Sequence, residues 1–223
     1  MPLAVCATPI GNLRDVTLRV LDELGDADLV LCEDTRRTRI LLERHGLSAR
    51  LLSYQEHNEA ARTAEVLPRL EAGARVALVS DAGLPGVSDP GARLIAAALE
   101  RGVPVTVLPG ASSVETALVA SGLVGERYQF LGYLPRGQAG LETLWDELRS
   151  WPWPAVAFES PRRLPRTLAS LAAALPERQI AVCRELTKQF EEIVSAPPSA
   201  HLERLAAGPI RGEFTIVIPP PRD

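Results

Sequence analysis

The chain has 223 residues, of which 46% are hydrophobic and 23% charged, with a net charge of −4. That length carries one large domain or two small ones, each able to bury a core. The acid excess removes any global attraction to nucleic acid, and no apolar run approaches the roughly 18 residues that span a bilayer. With no basic leader ahead of the first strand, a cytoplasmic globular protein is expected.

In chain order the hydrophobic pattern alternates strand and helix. It predicts a strand over Leu3 to Thr8, a helix over Val16 to Leu24, a strand over Leu29 to Cys32, and helices over Thr38 to Arg44 and Glu59 to Leu70. A strand over Arg75 to Val79, a helix over Ala92 to Arg101, a strand over Val103 to Leu108 and a helix over Ser113 to Ser121 follow. This βα alternation calls for an α/β fold with a mostly parallel N-terminal sheet. The pattern then restarts, with strands over Tyr128 to Leu131, Ala155 to Phe158, Ile180 to Cys183, Phe190 to Val194 and Phe214 to Ile218, and helices over Leu141 to Leu148 and Leu164 to Leu175. Adjacent strands in this half predict a mixed sheet. The expected domains are 1–113 and 114–223, with the binding cleft between them.

Three strand ends open into Gly- and Pro-containing loops: Thr8 to Leu13, Val79 to Gly91, and Leu108 to Ser113. The second has thirteen residues, with three Gly, two Pro, two Asp and two Ser, a composition that exposes main chain to a ligand. In open α/β sheets ligands sit outside the carboxyl ends of the strands. Gly86 and Gly91 have the spacing of a phosphate loop, but Ala92 and Arg93 stand where Lys and Ser or Thr are needed, and no G-x-G-x-x-G follows the first strand. Cys6, Cys32 and Cys183 lie far apart in apolar runs, so neither a disulfide framework nor a metal site is expected. His45 and His201 read as ordinary surface residues.

The basic residues are almost all arginine, the only lysine being Lys188, and the only asparagines are Asn12 and Asn58. Thr8-Pro9-Ile10-Gly11-Asn12-Leu13, Glu33-Asp34-Thr35-Arg36, His57-Asn58-Glu59, the Ser80 to Gly91 loop and Arg184-Glu185-Leu186-Thr187-Lys188 occur in the order of one family. On these motifs the chain resembles the ribosomal RNA small subunit methyltransferase I family of the tetrapyrrole methylase superfamily.

The resemblance implies a two-domain enzyme, usually a homodimer, that uses S-adenosylmethionine to methylate the 2′-hydroxyl of a cytidine in the decoding region of 16S ribosomal RNA, free or in the 30S subunit. The same superfamily includes methylases of corrinoid or porphyrin precursors, which is the alternative. It implies a cofactor pocket of Pro9, Gly11, Asp81, Ala82, Gly83, Leu84, Gly110, Ser112 and Ser113, with Phe158, Arg184, Glu213 and Phe214 from the second half. Leu84 departs from the Thr often found there. Asn12, Asp34, Arg36, His57 and Asn58 are the expected RNA contacts, and Glu33, Glu185 and Lys188 the candidates for activating the hydroxyl. Arg136, Arg162, Arg163 and Arg166 follow strand ends and could hold phosphate, although the chain's preference for arginine makes surface charge the simpler reading. Many family members continue into a basic C-terminal extension, so RNA affinity is expected to rest on the core or on dimerisation.

Overall fold

The computed structural model describes residues 2 to 221. The chain divides after Ser112 into two compact units. The boundary falls one residue before the expected one because Ser113 opens a helix.

The first unit contains β1 (Leu3–Cys6), α1 (Leu18–Asp26), β2 (Leu29–Cys32), α2 (Thr35–Arg44), β3 (Leu51–Ser53), α3 (Glu59–Glu71), β4 (Val76–Val79), α4 (Ala92–Glu100) and β5 (Val105–Leu108). Its strands form one parallel sheet in the order β3-β2-β4-β1-β5. Alternate residues go to opposite faces. Leu3, Val5 and Leu78 therefore pack with Val66 and Leu70 of α3 and Leu94 of α4, while Ala4, Cys6 and Val79 pack with Val20 and Leu24 of α1. A parallel sheet covered on both faces needs strands that are apolar throughout, as β1, β2 and β4 are. The Thr17 hydroxyl caps α1 by accepting from the Val20 amide.

The second unit contains α5 (Ser113–Ser121), β6 (Gln129–Tyr133), α6 (Gln138–Ser150), β7 (Ala155–Glu159), α7 (Leu164–Ala174), β8 (Ile180–Arg184), β9 (Glu192–Ala196), α8 (Pro198–Leu205) and β10 (Phe214–Ile218). Its sheet is mixed, in the order β6-β7-β10-β8-β9, parallel only at the β6–β7 pair. One face packs on Trp145, Leu164, Leu168 and Leu171. The fully buried Trp145 satisfies its indole by donating to the Ser170 hydroxyl at 2.9 Å.

Two elements differ from expectation. The three residues of β3 are too few to show a period, and α8 begins at consecutive prolines, which read as loop even though Pro is well placed in a first helical turn. Phe190 is exposed and outside any strand, so β9 starts later than its apolar run suggests. The three cysteines are buried and free, and burial pushes the Cys6 and Cys183 thiols up to about 12. His201 is buried, its Nε2 3.2 Å from the Ile180 carbonyl, and His45 Nε2 lies 2.9 Å from the Leu13 carbonyl. Neither is the partnerless surface residue that the sequence suggests.

Candidate functional site

Because all five strands of the first unit are parallel, their carboxyl ends open at one edge. The loops after β2, β4, β1 and β5 are consecutive there. These loops carry Glu33 to Arg36, Ser80 to Gly91, Pro9 to Leu13 and Pro109 to Ser112. Residues as far apart in the chain as Pro9 and Ser112 thus share one sheet edge, the usual ligand position of this architecture.

Hydrogen bonds hold the loops to one another. Thr8 and Gly83 exchange main-chain bonds of 2.8 and 3.0 Å, and the Thr8 hydroxyl donates to the Ser80 carbonyl at 3.0 Å. Gly83 has a φ of +83°, a conformation costly for a side chain. Gly110 is required for another reason, since a Cβ there would lie 2.9 Å from the Ala7 Cβ. Leu84 is half-buried and packs against the first unit's core, which gives its apolar side chain a structural role.

The ends of β2 and β4 are joined through carboxylates. The Asp34 amide donates to Asp81 Oδ1 at 3.0 Å, and the Asp81 amide donates to Glu33 Oε1 at 3.2 Å. Asp34 also caps α2, accepting from the Arg36 amide at 2.8 Å and from its guanidinium at 2.7 Å, and these bonds hold its carboxyl well below the usual range. Burial raises Glu33 above the ordinary carboxylate value. Asp89, which the sequence did not single out, is pushed up to about 7 by burial and by the facing charges of Glu33 and Asp81, against a hydrogen bond from Ser80. Glu59 was likewise missed as a positioning group: its carboxylate accepts from the Gly91 amide at 3.0 Å and from Tyr54, anchoring the far end of the long loop.

The expected RNA contacts divide. Arg36 is exposed but tied to Asp34, and His57 is exposed. Asn58 accepts from the Gln55 amide at 2.8 Å and closes the turn into α3, and Asn12 accepts from the Arg14 amide at 3.1 Å. Both asparagines therefore shape their own loops.

In the second unit, antiparallel pairing sets Phe214 opposite both Glu159 and Arg184. Phe158, Arg184, Glu213 and Phe214 consequently converge at one sheet end. Lys188 Nζ lies 3.0 Å from Glu185 Oε1 and 2.9 Å from Glu213 Oε2. Burial pulls its pKa down, but the two carboxylates outweigh burial and leave it above the usual lysine value. Such an ammonium is a fixed positive charge and a poor proton acceptor. Glu185, despite burial, is held below the ordinary carboxylate value by the Glu213 amide and Lys188. Glu185 and Thr187 have φ of +51° and +64°, strain of a kind that clusters at functional sites. Gly212 fits beneath this turn only without a side chain, because a Cβ would lie 2.8 Å from Glu185 Oε1. Among the described residues no cluster of His, Cys, Asp and Glu is placed to hold a metal ion.

Two α/β units, one with a parallel sheet whose strand-end loops converge without a phosphate cradle, have the architecture of the tetrapyrrole methylase class. The family model for tetrapyrrole (corrin/porphyrin) methylases matches residues 2–200. A ribosomal RNA small subunit methyltransferase I of Micromonospora olivasterospora is 44% identical over 97% of this chain and 69% of its own length. That of Thermotoga maritima is 39% identical over 97% of both chains. The chain belongs to the ribosomal RNA small subunit methyltransferase I family of the tetrapyrrole methylases. Solved structures with the same fold include a diphthine synthase (TM-score 0.76, 16% identity, 97% of this chain and 89% of the other). A cobalt precorrin-4 methyltransferase also has it (TM-score 0.72, 18% identity, 97% and 94%).

Proposed function

We propose that this protein is an S-adenosylmethionine-dependent methyltransferase that modifies the 2′-hydroxyl of a cytidine in 16S ribosomal RNA. The observation that carries the cofactor assignment is the character of the strand-end loops. They offer main chain and carboxylates, with Glu33, Asp81 and Asp89 close enough to perturb one another, and they contain no lysine. S-adenosylmethionine has an ammonium and a sulfonium and no phosphate, so an acidic, phosphate-averse loop set fits it.

The cofactor supplies an electrophilic methyl group when bound. Pro9, Gly11, Asp81, Ala82, Gly83, Leu84, Gly110 and Ser112 are the proposed pocket residues of the first unit. The chemistry the cofactor would supply is displacement at that methyl group, in which the ribose oxygen would form the new C–O bond as the S–C bond breaks and the electron pair leaves with the thioether. Alignment of the two groups accounts for much of the rate. The hydroxyl proton goes to a carboxylate, and Glu33 suits that role because burial makes it more basic than an ordinary carboxylate. Small subunit ribosomal RNA as the substrate rests on the relatives' names, and the cytidine 2′-hydroxyl on the resemblance of the motifs.

Calorimetry with S-adenosylmethionine tests the pocket: Asp81→Ala and Gly110→Ala are expected to weaken binding, and unchanged affinity in both would remove the assignment. Tritiated cofactor offered with 30S subunits, naked 16S RNA and a tetrapyrrole precursor tests the substrate. Label in the tetrapyrrole alone would favour the corrin or porphyrin reading.

A further inference from the structure

The β6–β7 pair contains an irregularity that the proposed reaction does not use. Phe130 pairs with Val156 and Tyr133 with Phe158, so β6 advances three residues while β7 advances two. Gly132, at φ +64°, lies in this bulge. Residues three apart in a regular strand face opposite ways, and the extra residue brings Phe130 and Tyr133 to the same side. Both rings meet Phe158 edge-on, with centroids 5.0 and 5.7 Å away. Aromatic residues make up only 4% of the chain, which makes three in one contact group a local concentration. Tyr133 remains 61% exposed.

The same strand ends carry arginines. Arg163 is the strut: it is paired with Glu159 at 3.1 Å and donates to the Pro135 carbonyl at 3.0 Å, tying the loop after β6 to the start of α7. Arg166 donates to the Arg136 carbonyl at 3.4 Å. Arg136, Arg162 and Arg166 are exposed, and among the described residues none of them is in a salt bridge. What sets these three apart is their place at the same strand ends as the aromatic group.

We propose that Tyr133, backed by Phe130 and Phe158, and Arg136, Arg162 and Arg166 form a binding face for single-stranded RNA. An unpaired base stacks on the Tyr133 ring, and the arginines take the adjoining phosphates. Unstacked RNA is the polymer that presents a π face and a phosphate together, whereas base-paired RNA hides its base faces. The proposal rests on the RNA reading above. It reassigns Phe158 from the cofactor to the substrate.

The test compares the wild-type protein with Tyr133→Ala, Tyr133→Phe and the triple variant Arg136→Gln/Arg162→Gln/Arg166→Gln. Anisotropy of a labelled single-stranded RNA is read across salt, and S-adenosylmethionine affinity by calorimetry. Tyr133→Ala is expected to weaken RNA binding about tenfold and Tyr133→Phe to preserve it. The triple variant is expected to flatten the log–log salt slope by about 2. Cofactor affinity stays within about twofold in all of them, and a base-paired RNA shows no dependence on Tyr133. The proposal is overturned if both Tyr133→Ala and the triple variant bind RNA like the wild type, or if Tyr133→Ala loses the cofactor instead. A wild type that labels only a tetrapyrrole defeats the functional reading itself. A wild type that methylates RNA alongside variants with unchanged RNA affinity and KM defeats this inference alone.

Discussion

Arg163→Met measures how the proposed RNA face is held up. Glu159 is 2% exposed and accepts from the Ser160 amide at 2.8 Å, from the Thr167 hydroxyl at 2.6 Å and from Arg163 Nη2 at 3.2 Å. Removing the guanidinium leaves a buried carboxylate with two neutral donors and no counter-charge. Breaking one side of a buried pair costs about 3–5 kcal/mol. The Arg163 side chain is 27% exposed, so water reaches the vacated space and the lower end, about 3 kcal/mol, is expected. At roughly 2–4 °C per kcal/mol for a chain of this size, the melting temperature should fall by about 6–12 °C. The assay is thermal unfolding of the wild type, Arg163→Met, Glu159→Gln and the double variant. Glu159→Gln in the Arg163→Met background removes the stranded charge, so the double variant should be more stable than the sum of the single losses predicts, by about 2 kcal/mol. A loss below about 2 °C in Arg163→Met, or strict additivity, would refute this account of the strut.

Asp89→Asn is expected to change how stability depends on pH. With a folded-state pKa of about 7, Asp89 retains a proton that the unfolded chain has released above about pH 4. Stability therefore falls as pH rises through that window, and Asp89→Asn should unfold at a higher temperature than the wild type near pH 8 but not near pH 4. Parallel curves for the two proteins would exclude a raised Asp89. Lys188→Arg keeps the positive charge beside Glu185 and Glu213, and most methyl transfer should survive; loss of turnover with unchanged cofactor affinity would restore Lys188 as a proton acceptor. A thiol reagent near pH 8 should leave Cys6, Cys32 and Cys183 untouched in the folded protein and label all of them in denaturant, given their burial and raised pKa values. Early labelling of Cys32, beside the loop after β2, would mean that this strand end opens.

What was legible in the sequence was what local chemistry dictates. Apolar runs marked most strands, and Gly and Pro marked the loops that converge at the parallel sheet's edge. Lys188 and Glu185 stand three residues apart in the chain, but Glu213, 25 residues further along, comes to Lys188 only through the pairing of β8 with β10. Likewise Gly110 looked like one more turn residue until the neighbouring strand put Ala7 where its Cβ would be. Asp89 lies in the long Gly- and Pro-rich loop, but nothing next to it in the chain marks it as a proton-holding carboxyl. Its raised proton affinity arises from burial, and then from Glu33 and Asp81, which the side-by-side β2 and β4 bring towards it.

The aromatic face shows the same dependence on tertiary register, and there it bears on function. Read locally, Phe130 and Tyr133 belong to opposite sides of a strand, and Arg136, Arg162 and Arg166 are surface charge in an arginine-rich chain. The extra residue at the bulge and the parallel neighbour that delivers Phe158 and Arg162 to the same end turn them into one surface. Deleting Gly132 removes the extra residue and leaves Tyr133 two positions after Phe130, still opposite Phe158 and on the same face of a now regular strand. If the shared side is what recognises RNA, a folded Gly132 deletion should bind single-stranded RNA like the wild type, and a loss as large as that of Tyr133→Ala would refute this account.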